Sequence, residues 1–239
     1  MHFLFSGEGV TDFGTCDHAA DHCQGEAYLH GPMAVIVDQL VEQHHRYSPL
    51  DTEVCLYATE HWLADRASEL KAVKKALRLP GRKQEKETRY YFNNARVLAR
   101  IAKEGEVAQG DQFVAVLFRD TDGTASAGRG DWDSKRQSML DGFREEEFER
   151  GVPMIPKPKS EAWLLCATKA NPYQNCEQLE HRSGNDDSPN SLKAELESRM
   201  GAQPTRDALN LLLTNGTIDI HRIVMPSFEA FRTRLLEVI

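Results

Sequence analysis

The chain has 239 residues, 40% of them hydrophobic and 28% charged, enough to bury a core in one domain with elaborations. Its formal net charge of −8 excludes a protein that coats nucleic acid or anionic membrane nonspecifically, but leaves room for a local basic groove. No apolar run approaches bilayer length and the opening run is too short for a signal peptide, so a soluble cytoplasmic protein with no membrane partner is expected. Cys16, Cys23, Cys55, Cys166 and Cys176 are odd in number and irregularly spaced, and read as reduced thiols rather than a disulfide framework.

Residues 2–6 are a short apolar run ending in Gly7-Glu8-Gly9, the pattern of a buried strand entering a tight turn. Residues 7–31, rich in Gly, His, Asp and Cys, predict a long loop, of a size that is usually functional or mobile. Pro32 suits the first turn of a helix carrying Met33, Ile36, Val37, Leu40 and Val41 on one face. Residues 53–58 predict a second buried strand, and a helix from about 60 to 78 stops at Leu79-Pro80-Gly81. Another helix over 85–104 turns Tyr91, Ala95, Leu98 and Ile101 inward. Residues 113–118 are apolar throughout, as a central parallel strand should be, and run into Arg119-Asp120-Thr121-Asp122-Gly123. After a loop rich in Gly, Ala and Ser come a helix over about 132–150 and a strand over 152–155. The next helix follows Pro156-Lys157-Pro158-Lys159, with Ser160 as its N-cap and Glu161 in its first turn. Further helices are expected near 189–200, 205–214 and 227–238.

Strands alternating with helices predict an α/β fold with a mostly parallel sheet flanked by helices, and ligands beyond the carboxyl ends of its strands. The expected organisation is an α/β domain over 1–170 with an inserted basic helical segment at about 60–105. A helical extension over 171–239 packs on it.

Glu8 and the pair Asp120 and Asp122 each follow a strand end, which puts three sequence-distant carboxylates on one edge. Converging carboxylates repel one another and stay ionised only when a cation or basic partner compensates them. Oxygen ligands without a His/Cys set at zinc spacing favour Mg²⁺ or Mn²⁺. The plainer reading of Asp120 and Asp122 is as turn residues, since Asp-Gly is a common turn dipeptide.

Read together, Gly7-Glu8-Gly9-x-Thr11-Asp12 after the first strand and Asp120-x-Asp122-Gly123 after a central strand resemble the TOPRIM domain. That Rossmannoid fold is shared by bacterial primases, topoisomerases and overcoming-lysogenisation-defect nucleases. The resemblance covers roughly residues 1–170. It implies that Glu8 acts as general acid/base or metal ligand and that Asp120 and Asp122 bind Mg²⁺. The segment from Ile155 to Trp163 is similar to a Pro-x-x-Glu-hydrophobic element of stand-alone TOPRIM-like proteins encoded beside ATPases in bacterial defence loci. It implies that Glu161 completes a second metal site and that Lys157 or Lys159 faces the phosphate. By itself, a Glu in a first turn is a favourable helix-dipole residue. A helix N-terminus also suits anions, so phosphate is expected beside Ser160. The long insertion between the first two motifs and the loop over 124–131 depart from better-known TOPRIM enzymes.

The resemblance thus implies a Mg²⁺-dependent nuclease, the effector of an antiphage system, held in check by an ABC-type or AAA-type ATPase encoded nearby. Glu8 would take the proton of an attacking water, and Lys157 or Lys159 would offset the developing charge. The alternative is a non-catalytic TOPRIM-like subunit that binds a partner; homo-oligomerisation is left open by either reading.

The stretch from Arg66 to Lys103 is dense in base, with Tyr90, Tyr91 and Phe92 interleaved. Arg82, Lys83, Lys86, Arg89 and Arg119 are the candidate nucleic-acid contacts, Arg119 equally a partner for the carboxylates, and the plainer reading of the stretch is a solvated helical hairpin whose aromatics are core. Cys16, His18, His22 and Cys23 could hold metal but do not match a two-plus-two zinc layout. No Walker A loop is present, so ATP hydrolysis is not expected of this chain.

Overall fold

The apolar runs become a sheet. The computed structural model describes residues 1–74, 86–121, 132–168, 171, 175–201 and 204–239. Its strands are β1 (His2–Gly7), β2 (Gly14–Cys16), β3 (His22–Gln24), β4 (Tyr28–His30), β5 (Cys55–Ala58), β6 (Phe113–Phe118) and β7 (Gly151–Met154). Its α-helices are α1 (Pro32–His45), α2 (Glu60–Lys74), α3 (Lys86–Gln109), α4 (Trp132–Glu145), α5 (Ser160–Thr168), α6 (Cys176–Leu179), α7 (Leu192–Met200), α8 (Arg206–Thr214) and α9 (Pro226–Val238). The turn expected at residues 79–81 lies outside the described residues.

Five strands form one mixed, mostly parallel sheet in the order β3-β5-β1-β6-β7, with β3 antiparallel at one edge. This is the α/β architecture expected from the alternation of strands and helices. Side chains alternate along each strand and divide the core in two. Phe3, Phe5, Val114, Val116 and Phe118 pack with α1, α5 and the C-terminal helices. Leu4, Phe113, Ala115 and Leu117 pack with α2, α3 and α4 on the other face.

The connections leave β1 and β6 on opposite faces. From β1 the chain returns through α1 to β5; from β6 it returns through α4 to β7. Adjacent strands whose crossovers diverge in this way open a crevice at their carboxyl ends, where ligands of such sheets bind.

Two expectations need correction. Residues 7–31 are not a plain loop: β2 and β4 form a small antiparallel ribbon, and β3 pairs with β5. The segment turns back on itself so tightly that three-residue strands leave no periodic signal. That reversal also brings Cys16 and Cys23 together as a disulfide, and a second disulfide joins Cys166 of α5 to Cys176 of α6. Only Cys55 remains a thiol, and burial pushes its pKa well up.

The C-terminal helices share the sheet's core. Trp163 of α5 packs against Phe228 and Phe231 of α9, with ring centroids 5.1 and 5.8 Å apart, and its indole N–H donates to Ser227 at 2.8 Å. No helix among the described residues is long and apolar enough to cross a membrane.

Candidate functional site

Alternation along β6 decides where the two residues after it point. Continued past Phe118, the period-two pattern sends Arg119 toward α2 and α3 and Asp120 toward α5. The contacts follow that pattern. The Arg119 guanidinium pairs with Glu60 of α2 at 2.8 Å and lies over the ring of Tyr90 of α3, 4.1 Å from its centroid. The Asp120 carboxylate accepts from the backbone N–H of Ser160, the first residue of α5, at 3.0 Å.

Glu8 emerges from neighbouring β1 on the Arg119 side. Its Oε2 lies 3.0 Å from Arg119, and its Oε1 accepts the backbone N–H of Asp120 at 2.8 Å. Two glycines permit this approach. A β-carbon on Gly7 would stand 2.7 Å from the backbone carbonyl and the β-carbon of Phe118, and Gly9 adopts φ +84°, which disfavours any side chain.

A second acidic group lies on the α5 side. The Ser160 hydroxyl donates to Asp12 and sits 3.4 Å from Glu161, so one serine touches both carboxylates. Lys159 lies 3.8 Å from Glu161 and 2.6 Å from Asp186. Thr121 fastens the preceding segment through its N–H to the Pro158 carbonyl at 2.9 Å and its hydroxyl to that of Pro156.

The two groups differ in charge balance. Burial alone would lower the Arg119 pKa, but Glu8, with Tyr90 and Glu60, outweighs it and holds the guanidinium above its ordinary value. Burial pushes the Asp12 carboxyl up despite its bonds from Ser160 and Thr11. Burial also raises Glu161, and Asp12 adds to the rise although Lys159 opposes it. Carboxyls held up in this way ionise readily only when a cation joins them. Carboxylate oxygens are the donor type that a hard divalent cation takes.

Of the residues expected at the site, Glu8, Asp120, Glu161 and Lys159 come to this edge. Lys157 is directed instead to Glu180, 4.0 Å away. Asp122, Arg82 and Lys83 lie outside the described residues, as does the side chain of Lys86. Arg89 is exposed on α3. Arg119 reaches carboxylates of this chain rather than an open phosphate-facing surface.

Much of the remaining basic stretch serves helix packing. Arg66 pairs with Glu104 at 2.7 Å, Arg96 and Arg100 both hold Glu146, and Lys103 reaches the Glu146 carbonyl at 2.9 Å. Tyr91 is buried as expected, whereas Tyr90 is exposed. One further expectation is corrected at α5. The Ser160 hydroxyl turns to Asp12 rather than capping the helix, and the Ser160 N–H donates to Asp120.

Sequence reasoning missed Asp12 and Glu60. Asp12 stands four residues after Glu8 in the quoted motif, a visible acidic position whose partners lie far along the chain. Glu60 carries no sequence signal. Among the described residues, no group of three or more His, Cys, Asp or Glu side chains is gathered closely enough to hold a metal ion. Asp122 is not among them. No family model matches the chain, and no curated protein or solved structure is significantly similar to it.

Proposed function

We propose that this chain is a TOPRIM-like, metal-dependent nuclease that hydrolyses phosphodiester bonds of DNA or RNA at the carboxyl edge of its sheet. The observation that carries the reading is the meeting of Glu8 and Asp120 at the crevice between β1 and β6, joined by the 2.8 Å N–H···O bond. Asp120 with Asp122, together with Glu8 and Glu161, would hold Mg²⁺ or Mn²⁺, and Asp12 joins them through Ser160. Bound there, such a cation supplies charge stabilisation at the phosphate and a more acidic water.

The residues have separable tasks. Glu8, steadied by Arg119 and the Asp120 N–H, presents carboxylate oxygen as the acceptor for a water's proton. Lys159, 3.8 Å from Glu161 and also paired with Asp186, or the more exposed Lys157, would offset negative charge developing on the phosphate. Restraint by a neighbouring ATPase and an antiphage role belong to the same proposal and rest on the family resemblance.

The test is incubation of purified protein with plasmid, single-stranded DNA and RNA in Mg²⁺, Mn²⁺ or EDTA. Cleavage in metal, none in EDTA, and loss in Asp120→Asn support the reading. A non-catalytic binding subunit is the second reading. It is favoured by one observation: Glu8 and Asp120 are both engaged within the chain, by the Arg119 guanidinium and two backbone N–H groups. Absence of cleavage with every substrate, even with the ATPase added, would select it.

A further inference from the structure

Tyr90 stands apart from the other aromatic side chains of the basic segment. Tyr91, its neighbour on α3, is buried and donates its hydroxyl to the Asp120 carbonyl at 3.1 Å. Tyr90 is 39% exposed, yet it is held on two sides. The Arg119 guanidinium lies 4.1 Å from its centroid, and its hydroxyl donates to Glu60 at 3.0 Å. The ring therefore pays little entropy to receive a ligand, because its orientation is already set.

Its position gives that rigidity a use. The guanidinium against the ring also pairs with Glu8 at 3.0 Å, so Tyr90 lies one side chain away from the candidate phosphodiester site. Val10, two residues after Glu8, is 60% exposed. Exposed, pinned aromatic rings beside backbone-binding sites are the platforms on which nucleic-acid bases stack.

Resting on the nuclease reading, we infer that Tyr90 stacks against an unpaired base of the substrate and so selects single-stranded or flipped-out nucleotides over regular duplex. In a duplex both faces of each base are already stacked on neighbours, and a protein ring reaches a base only after it leaves the helix. The base on Tyr90 belongs to a nucleotide next to the bond held at Glu8 and Asp120. Stacking reads no hydrogen-bond pattern, so the selectivity is for strand state rather than sequence.

The experiment measures binding of the full chain to a fluorescein-labelled 20-nucleotide single strand and to the same sequence as blunt duplex. Ca²⁺ replaces Mg²⁺, and a gel confirms intact probe. The single strand should bind about tenfold tighter than duplex, and Tyr90→Ala should reduce that preference to within about threefold. Tyr90→Phe, which keeps the ring and loses the Glu60 bond, should retain it. A single abasic residue walked along the strand should weaken binding at one position in the parent protein and at none in Tyr90→Ala. Equal binding of strand and duplex, or equal loss in Tyr90→Phe and Tyr90→Ala, overturns the inference. If duplex is also cleaved in Mg²⁺ at the same rate by Tyr90→Ala and the parent, the nuclease reading stands while stacking falls. Failure to bind any probe removes both.

Discussion

The two acidic groups at the sheet edge lie on opposite sides of Asp120 and are balanced in opposite ways. On the α2–α3 side, Glu8 and Glu60 share the Arg119 guanidinium, and the charge is settled within the chain. On the α5 side, Asp12 and Glu161 are partly buried and their pKa values raised, with Lys159 divided between Glu161 and Asp186. One group carries its cation within the chain, while the carboxyls of the other are harder to ionise. Asp120 joins them, its N–H bound to Glu8 and its carboxylate to α5.

Breaking that junction should have the largest effect. Asp120→Asn keeps an acceptor for the Ser160 N–H but removes the charge, so cleavage should drop on the order of a hundredfold or more while melting barely changes. Asp120→Ala should add a loss of about 1 kcal/mol in unfolding free energy, because the α5 N-terminus loses its cap. Gel assays beside thermal melts separate the two effects.

On the settled side, Arg119→Met leaves Glu8 and Glu60 facing each other without their shared cation. Denaturant titration should show a loss of about 2 kcal/mol, less than for a fully buried pair because the site is partly open to water. Adding Glu8→Gln to that variant should restore part of the loss.

On the unsettled side the sign reverses. Glu161→Gln removes a partly buried charge and should stabilise the metal-free protein by about 1 kcal/mol at neutral pH. The pH dependence follows from the same shift. A carboxyl whose folded pKa is raised contributes stability fully present below its unfolded value and lost as pH rises through the folded one. Relative to Glu161→Gln, the parent protein in EDTA should therefore lose melting temperature as pH climbs from the ordinary glutamate value of 4.5 through the raised value in the folded chain. Added Mg²⁺ should remove most of that difference.

The smallest effect belongs to Glu60→Gln. Glu60 is half-exposed and Arg119 keeps Glu8, so unfolding free energy should move by less than about 0.5 kcal/mol. A larger loss would mean that Glu60 rather than Glu8 anchors the guanidinium.

Features with a long local signal were legible in the sequence. The apolar runs of β1 and β6 and the one-sided pattern of α1 marked sheet and helix, and strand-end carboxylates marked Glu8 and Asp120. What escaped depended on distant partners or very short elements. Asp12 meets Ser160 across 148 positions, and Arg119 meets Glu60 across 59. Neither spacing repeats, so no local pattern could reveal it. In the basic stretch, composition does not distinguish cations facing solvent from those closing on Glu146. The cysteines misled because their pairing follows from the hairpin-like reversal of 7–31 and from the approach of α6 to α5, neither of which their spacing reveals.

Direct titration with Mn²⁺, followed by the loss of the hydrated ion's electron paramagnetic resonance signal, bears most closely on the proposed metal centre. The parent chain should quench the signal with at least one Mn²⁺ per molecule, Mg²⁺ should compete, and Asp120→Asn should bind markedly more weakly. An unquenched signal with the parent protein, or equal quenching by Asp120→Asn, would contradict a metal centre at this edge.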